Sequence, residues 1–97
     1  MATDPQLANL MRAAVFDQQL ARELVKNAPS LLLLRTGLGE TALHYLAIEN
    51  YAEAVQLLID LGAEVNVKND FGKSALEEAI QVEATETVNI LRRAGAV

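Results

Sequence analysis

The stretch from Gly39 to Asn66 reads GETALHYLAIENYAEAVQLLIDLGAEVN, and it decides the fold because nine of its positions return 33 residues later in the chain. The two copies align in one register without a gap. The matched pairs are Gly39/Gly72, Thr41/Ser74, Ala42/Ala75, Leu43/Leu76, Glu53/Glu86, Val55/Val88, Leu58/Leu91, Gly62/Gly95 and Ala63/Ala96. A match of this kind indicates a repeated structural unit.

A more divergent copy precedes the middle one at the same spacing. Its apolar positions Leu10, Ala13, Ala14, Leu24 and Val25 fall on Leu43, Leu46, Ala47, Leu57 and Leu58. This copy has Pro29-Ser30 in place of the Gly-Ala pair and Arg22 in place of a valine. The sequence therefore predicts about three repeats.

The middle and last copies carry the signals of two short helices joined by a turn. Thr41 is a cap for a helix over 42–49, and a second helix over 52–61 ends at Gly62. Ser74 and Gly95 are the corresponding start and stop signals of the last copy. Asn50 falls in the turn of the middle copy, and Glu83 and Glu86 fall near the start of the last helix.

In the first copy, Thr3 or Asp4 caps a helix with Pro5 in its first turn, and Asp17 caps a second helix that ends before Pro29. Segments 30–40 and 64–73 lie between the helix pairs. Each is long enough for a projecting turn or hairpin, with Asn69-Asp70 and Gly72 as turn residues in the second. We interpret Gly37-Leu38-Gly39 as a turn, since no lysine or further glycine pattern supports a phosphate loop.

The run Thr41-Ala42-Leu43-His44-Tyr45-Leu46-Ala47 resembles the T-P-L-H-x-A signature of the ankyrin repeat family, with alanine in place of proline. Further matches are Val55, Leu57-Leu58, Gly62-Ala63 and Val65-Asn66, and the run from Ala28 to Leu32 resembles a variant loop of first ankyrin repeats. The resemblance implies an all-α solenoid of about three helix-turn-helix repeats with hairpin-like connecting loops. It implies one domain over 1–97, with repeats at roughly 5–36, 37–69 and 70–97.

The last copy departs from the signature with Glu77 for His, Ile80 for Ala and Arg92 for Ile. Terminal repeats of a solenoid are expected to be polar on their outer face, because no neighbour covers them. Arg92 and Arg93 suit such an end, as do Arg22 and Lys26 at the other.

Composition excludes several functions. The formal net charge of −5 argues against nucleic-acid binding, which depends on clustered Lys and Arg. The absence of cysteine excludes disulfides and thiol chemistry. The chain has no apolar run of membrane-spanning length and no secretory signal, so we expect a cytoplasmic protein without a membrane role.

Catalytic and metal chemistry has little support in the sequence. His44 is the only histidine, and the resemblance implies that it joins a structural hydrogen-bond network with Thr41. The acidic residues Glu77, Glu78, Glu83 and Glu86 could form an acid/base or metal cluster, but helix starts attract acidic residues for electrostatic reasons. We predict a protein that is not an enzyme and has no metal or cofactor.

The resemblance implies that partners contact the loop tips and the outward side of the first helix in each repeat. The implied contact residues are Val15, Phe16, Arg35, Leu38, Glu40, Tyr45, Ile48, Glu49, Lys68, Asp70, Phe71, Lys73, Glu78, Gln81 and Val82. The implied scaffold residues are Thr41, Leu43, His44, Gly62, Asn66, Gly72, Ser74, Leu76 and Gly95.

Six of the implied contact residues are apolar or aromatic where a solvent-facing surface needs no such residue: Phe16, Leu38, Tyr45, Ile48, Phe71 and Val82. Such a strip with a charged rim is typical of a binding surface. The alternative is that these residues cover the inner helices or pack onto the loops.

These observations predict a monomeric protein-interaction module that binds an unidentified protein partner through its concave helix face and loop tips. Two alternatives remain: an inhibitor or immunity-type protein for a basic partner, and a structural protein that self-associates weakly. Strong salt dependence of association would favour the first. A monomer mass at high concentration would exclude the second.

Overall fold

The computed structural model describes residues 4–97, so the predicted cap at Thr3 lies outside the described residues. Within that range the chain is all-helical, with no β-strand, which confirms the predicted fold class. The six helices are α1 (Pro5–Phe16), α2 (Gln18–Asn27), α3 (Ala42–Ile48), α4 (Ala52–Asp60), α5 (Ala75–Gln81) and α6 (Thr85–Arg93). No helix in the described part of the chain is long and apolar enough to cross a membrane.

Four of the helices begin at side-chain caps that the sequence predicts. The Asp4 carboxylate accepts from the Gln6 N–H at 2.8 Å, and that of Asp17 accepts from the Leu20 N–H at 3.2 Å. Thr41 and Ser74 cap α3 and α5, and in each case the third helical residue returns a side-chain bond to the cap. These bonds satisfy backbone donors that have no partner inside the helix.

The turns within the second and third helix pairs are built alike. Asn50 and Glu83 occupy equivalent positions 33 residues apart and have positive φ angles of 57° and 58°. Glu83 forms the left-handed turn directly before the N-cap of α6, so it lies near the start of that helix as predicted. Glu86 lies in the first turn of that helix.

The second and third helix pairs stack so that first helix packs on first helix and second on second, whereas the first pair packs on the second through α1. Helix α3 packs against α5, and α4 packs against α6, while α1 contacts both α3 and α4. Alanines with almost no exposed surface, such as Ala14, Ala47 and Ala79, let the helices approach closely. Larger side chains that include Leu10, Leu46, Leu58 and Leu91 fill the core around them.

The segment after α2 differs from the predicted loop. Pro29–Leu33 forms a short 3-10 helix, whose first residue is proline and whose Leu31 is buried in the core. Proline suits the start of a helix because it has no backbone N–H that would lack a partner there. Burial of the Leu31 side chain in the core further stabilises this helical segment. The projecting part of this connection is therefore confined to residues 34–41.

Candidate functional site: a surface built on two paired loops

Two connecting loops, residues 34–41 and 64–74, lie side by side, and we refer to them as the paired loops. The Asp70 N–H donates to the Leu38 carbonyl oxygen at 3.0 Å. Beside this bond, the Arg35 guanidinium donates to the Lys68 carbonyl oxygen at 3.2 Å. Residues that are more than thirty positions apart in sequence thus share one surface.

Each loop also contains hydrogen bonds from its backbone to one of its own side chains. The two side chains, Thr36 and Asn69, lie 33 residues apart and so occupy equivalent positions in the repeat. Thr36 Oγ1 accepts from the N–H groups of Leu38 and Glu40, both at 3.2 Å. Asn69 Oδ1 accepts from the N–H groups of Phe71 and Lys73 at 2.9 and 3.0 Å. Both loops are therefore closed by a side chain that takes the place of a backbone partner.

The tips of the paired loops present exposed apolar side chains. Leu38 is 56% exposed and Phe71 is 67% exposed, each on a loop whose backbone is fixed by the bonds above. The charged residues Arg35, Lys68 and Asp70 are exposed around them. An apolar pair with a charged rim on rigid backbone has the features of a protein-binding surface.

Helices α3 and α5 extend this surface away from the loops. Tyr45 on α3 and Glu49 just after it are exposed, as are Gln81 on α5 and Val82 just after that helix. Lys73 links loop to helix, because its Nζ donates to Gln81 Oε1 at 2.7 Å. These side chains are accessible for a partner that also covers the loop tips.

Three apolar contact residues lie differently from the exposed apolar side chains above, and the charged residues Glu40, Lys73 and Glu78 are half-buried as well. Ile48 is half-buried, so a large part of its side chain is already covered by the fold. Val15 is also half-buried and lines a cleft with the turn that leads into α4. Phe16, 80% exposed, lines a depression formed by α1 and α2 with Leu20 and Leu24.

His44 lies beneath this surface and is 1% exposed. Its Nδ1 accepts from the Thr41 N–H at 3.2 Å and lies 2.9 Å from Thr41 Oγ1. The hydrogen of a neutral ring is then on Nε2, which donates to the Lys73 carbonyl oxygen at 3.0 Å. One side chain thus completes the cap of α3 and contacts the next loop.

The carboxyl groups of Glu40 and Glu78 meet beside His44. Ligand-type atoms of these three residues lie within 4.8 Å of one another. Both ring nitrogens of His44 are already hydrogen-bonded, so the imidazole offers no free lone pair to a metal ion. The remaining carboxyl pair is a weak donor set for a cation.

The same environment changes the protonation of Glu78. Burial, followed by the hydrogen bond and negative charge of Glu40, raises the pKa of Glu78 from 4.5 to about 7, although Lys73 and Asn69 act in the opposite direction. Near neutral pH the Glu78 carboxyl group is therefore protonated in part of the molecules, whereas a solvated glutamate would be fully ionised.

Apart from His44 and Asn66, the implied scaffold residues divide into two groups. Leu43, Leu76, Thr41 and Ser74 are buried, and Gly62, Gly72 and Gly95 have positive φ angles at helix ends or turns. Asn66 is exposed, and its Oδ1 accepts from the Val97 N–H at 3.1 Å.

Asn69 links the two paired loops, and the sequence did not predict this role. This buried side chain closes its own loop and also donates from Nδ2 to Glu40 Oε1 of the other loop at 3.4 Å. The available signal was that Asn69 aligns with Thr36, another residue whose side chain can close a turn.

The stacked helix pairs and paired loops define a helical-repeat protein with a candidate interaction surface. A family model described as ankyrin repeats, in three copies, matches residues 10–97. The chain therefore belongs to the ankyrin repeat family, as its resemblance predicted. This family consists in general of non-enzymatic protein-interaction modules.

Similar proteins come from distant organisms. A probable E3 ubiquitin-protein ligase, XBOS32 of Oryza sativa subsp. japonica, is 38% identical over 77% of this chain. Putative ankyrin repeat protein L92 of Acanthamoeba polyphaga mimivirus is 40% identical over 64% of this chain. The matched region spans 15% of the length of each of these two proteins.

A solved structure also resembles the chain. It is the complex of the Bd0816 predatory endopeptidase from Bdellovibrio bacteriovorus with immunity protein Bd3460. The matched chain has a TM-score of 0.77 and 31% sequence identity, and the match covers 87% of the present chain and 44% of that chain.

Proposed function

We propose that this chain is a non-enzymatic module that binds a partner protein through the paired loops and the exposed side of α3 and α5. The observation that carries the proposal is the exposure of Leu38 and Phe71 on backbone that is already fixed by the Asp70–Leu38 hydrogen bond. A partner that covers these side chains gains apolar burial and orders little additional backbone.

The charged residues around the apolar pair supply orientation. Arg35 and Lys68 offer donors, while Asp70 and Glu49 offer acceptors, on a chain whose net charge is −5. Mixed charge at the rim selects partners with a complementary pattern and raises the association rate. Most of the binding energy is expected from the apolar anchors.

The test compares alanine substitutions of the same residue types inside and outside the proposed binding surface. Leu38→Ala/Phe71→Ala removes the loop anchors, and Leu33→Ala removes a side chain that is 69% exposed outside the proposed surface. Tyr45→Ala and Tyr51→Ala form a second matched pair, with exposures of 48% and 42%. Partners captured from the native cell extract are identified by mass spectrometry, and their affinities are then measured with purified proteins.

We expect the Leu38/Phe71 double variant to lose at least about tenfold in affinity, and Tyr45→Ala to lose more than Tyr51→Ala. The Leu33→Ala variant should bind as the unmodified chain does. If the Leu33 and Tyr51 variants lose as much as the surface variants, the binding surface lies elsewhere.

An inhibitor or immunity-type protein for a basic partner is the second candidate. Two observations favour it: the net charge of −5, and the similarity to a chain from a complex that contains an immunity protein. The purified chain is added to the captured partner while that partner's activity is measured at several salt concentrations. Inhibition that weakens steeply with salt supports this candidate, whereas binding without inhibition contradicts it.

Weak self-association is a third candidate, and the depression around Phe16, Leu20 and Leu24 favours it. This depression has a volume of about 320 Å³ and lies on the first helix pair. Light scattering over a range of protein concentrations, with Phe16→Ser as the comparison, tests it. A monomer mass for the unmodified chain at the highest concentration rejects this role.

A further inference from the structure

A carboxyl oxygen of Glu40 and one of Glu78 lie within 4.8 Å of each other across the boundary between the second and third helix pairs. Glu40 immediately precedes the cap of α3, and Glu78 lies in the first turn of α5. Glu40 Oε2 and Glu78 Oε1 are both shielded from solvent, and neither has a hydrogen-bond donor among residues 4–97. Two such oxygens would be costly to bury if both groups were ionised.

The neighbouring polar groups do not supply the missing donors. From the second loop, the Asn69 amide donates to the other oxygen of Glu40, and Lys73 directs its ammonium group to Gln81. From α3, His44 Nδ1 lies 3.9 Å from Glu40 Oε2, but that nitrogen is the acceptor for Thr41. The positive charge of Lys73 lowers the pKa of Glu78, but burial and Glu40 raise it more strongly.

We propose that Glu40 and Glu78 share one proton and form a pH-sensitive contact between the second and third helix pairs. When the proton is present, the protonated carboxyl donates an O–H···O bond to the other carboxylate, and both buried oxygens are satisfied. When it leaves to solvent, two negative charges face each other in a site that is largely shielded from water. The contact then becomes repulsive.

The raised pKa of Glu78, about 7 against an ordinary value of 4.5, gives the direction of the effect. Between these two pH values the folded chain holds a proton that the unfolded chain has released. The contribution to stability is therefore fully present below pH 4.5, decreases as pH rises, and is lost above pH 7.

This contact goes beyond the proposed function and does not depend on it, because it is a property of the isolated chain. Glu40, Lys73 and Glu78 also belong to the predicted partner surface, so the state of the pair sets the charge that a partner meets. Failure of the proton-sharing contact would leave the binding proposal untouched, and the reverse also holds.

The test replaces Glu78 with glutamine, whose amide can donate to Glu40 at every pH. Melting temperatures are measured from pH 5.5 to 8.5 for the unmodified chain, for Glu78→Gln and for Glu64→Gln. Glu64 is an exposed glutamate in the second paired loop, so its variant has the same net charge without touching the pair. This control removes the effect of overall charge.

We expect the melting temperature of the unmodified chain and of Glu64→Gln to fall between pH 5.5 and 7.5 by at least about 4 °C more than that of Glu78→Gln. Parallel pH profiles for all three proteins would overturn the proposal.

A direct measurement keeps the inference testable if Glu78→Gln folds poorly. In the unmodified chain, the side-chain carboxyl ¹³C resonance of Glu78 is followed by NMR during a pH titration. The proposal requires a midpoint at least about two pH units above the ordinary glutamate value of 4.5. A midpoint for Glu78 at that ordinary value would refute the shared proton.

Discussion

His44 Nε2 donates a hydrogen bond to the carbonyl oxygen of Lys73, which lies 29 residues further along the chain, at a distance of 3.0 Å. The same imidazole accepts from the Thr41 N–H at its other nitrogen. It therefore completes a helix cap within one repeat and anchors the loop of the next. The loop that it anchors is the one that presents Phe71.

Replacing His44 with alanine should lower the free energy of unfolding by about 3 kcal/mol. The substitution removes the side-chain bond to the cap of α3, and it leaves the Thr41 N–H and the Lys73 carbonyl oxygen without this partner in a buried site. Glu77→Ala is the matched control, since Glu77 returns a bond to the Ser74 cap in the same way but is exposed. It should cost less than about 1 kcal/mol. Urea denaturation followed by circular dichroism measures both, and equal losses would contradict the role of His44 between repeats.

Gly39 and Gly72 make a second matched pair, with φ angles of +77° and +74°. A Cβ on Gly39 would lie 2.8 Å from the Asp70 backbone nitrogen, whereas a Cβ on Gly72 would meet no atom within 4 Å. Gly72→Ala should cost about 1 kcal/mol from its φ angle alone, and Gly39→Ala clearly more because it separates the paired loops. Thermal unfolding distinguishes them, and similar melting temperatures would show that the loops separate at little cost.

Thr87 is fully buried, and its hydroxyl donates to Asn50 Oδ1 at 2.8 Å, which joins α6 to the turn between α3 and α4. Thr87→Val keeps the shape but removes the donor, and should cost about 1 kcal/mol. Thr85→Val, at an exposed position of the same helix, should stay within about 0.5 kcal/mol of the unmodified chain. Chemical denaturation of both variants checks this, and an unchanged stability of Thr87→Val would mean that packing alone holds this contact.

Phe71→Ala should change the free energy of unfolding by less than about 0.5 kcal/mol, because the side chain is 67% exposed. Leu58→Ala, at a position with no exposed surface, should cost about 2–5 kcal/mol by leaving a cavity in the core. The comparison by urea denaturation decides how binding data for Phe71 variants are interpreted. A large loss for Phe71→Ala would favour the alternative that this residue packs onto its loop.

The candidate site shows which contacts the sequence could predict and which it could not. The 33-residue period places Thr36 and Asn69 at equivalent positions, but it could not show that Asn69 also reaches Glu40 in the neighbouring loop. Such a bond depends on the distance between two loops, and a period in one chain contains no information on that distance. The same reason explains why Ile48 was expected at the surface although stacking of the helices partly covers it.

The sequence by itself determined the number of helix pairs, their caps at Asp17, Thr41 and Ser74, and their stops at Gly62 and Gly95, because these features depend on residues within one or two helical turns. Tertiary structure alone decided the contacts of His44 with Lys73 and of Glu40 with Glu78. Both join polar groups from different repeats, and their geometry is set by how closely the alanine-lined helices stack. Local chemistry therefore specified the repeating unit, and packing between units created the buried carboxyl pair and the paired-loop surface.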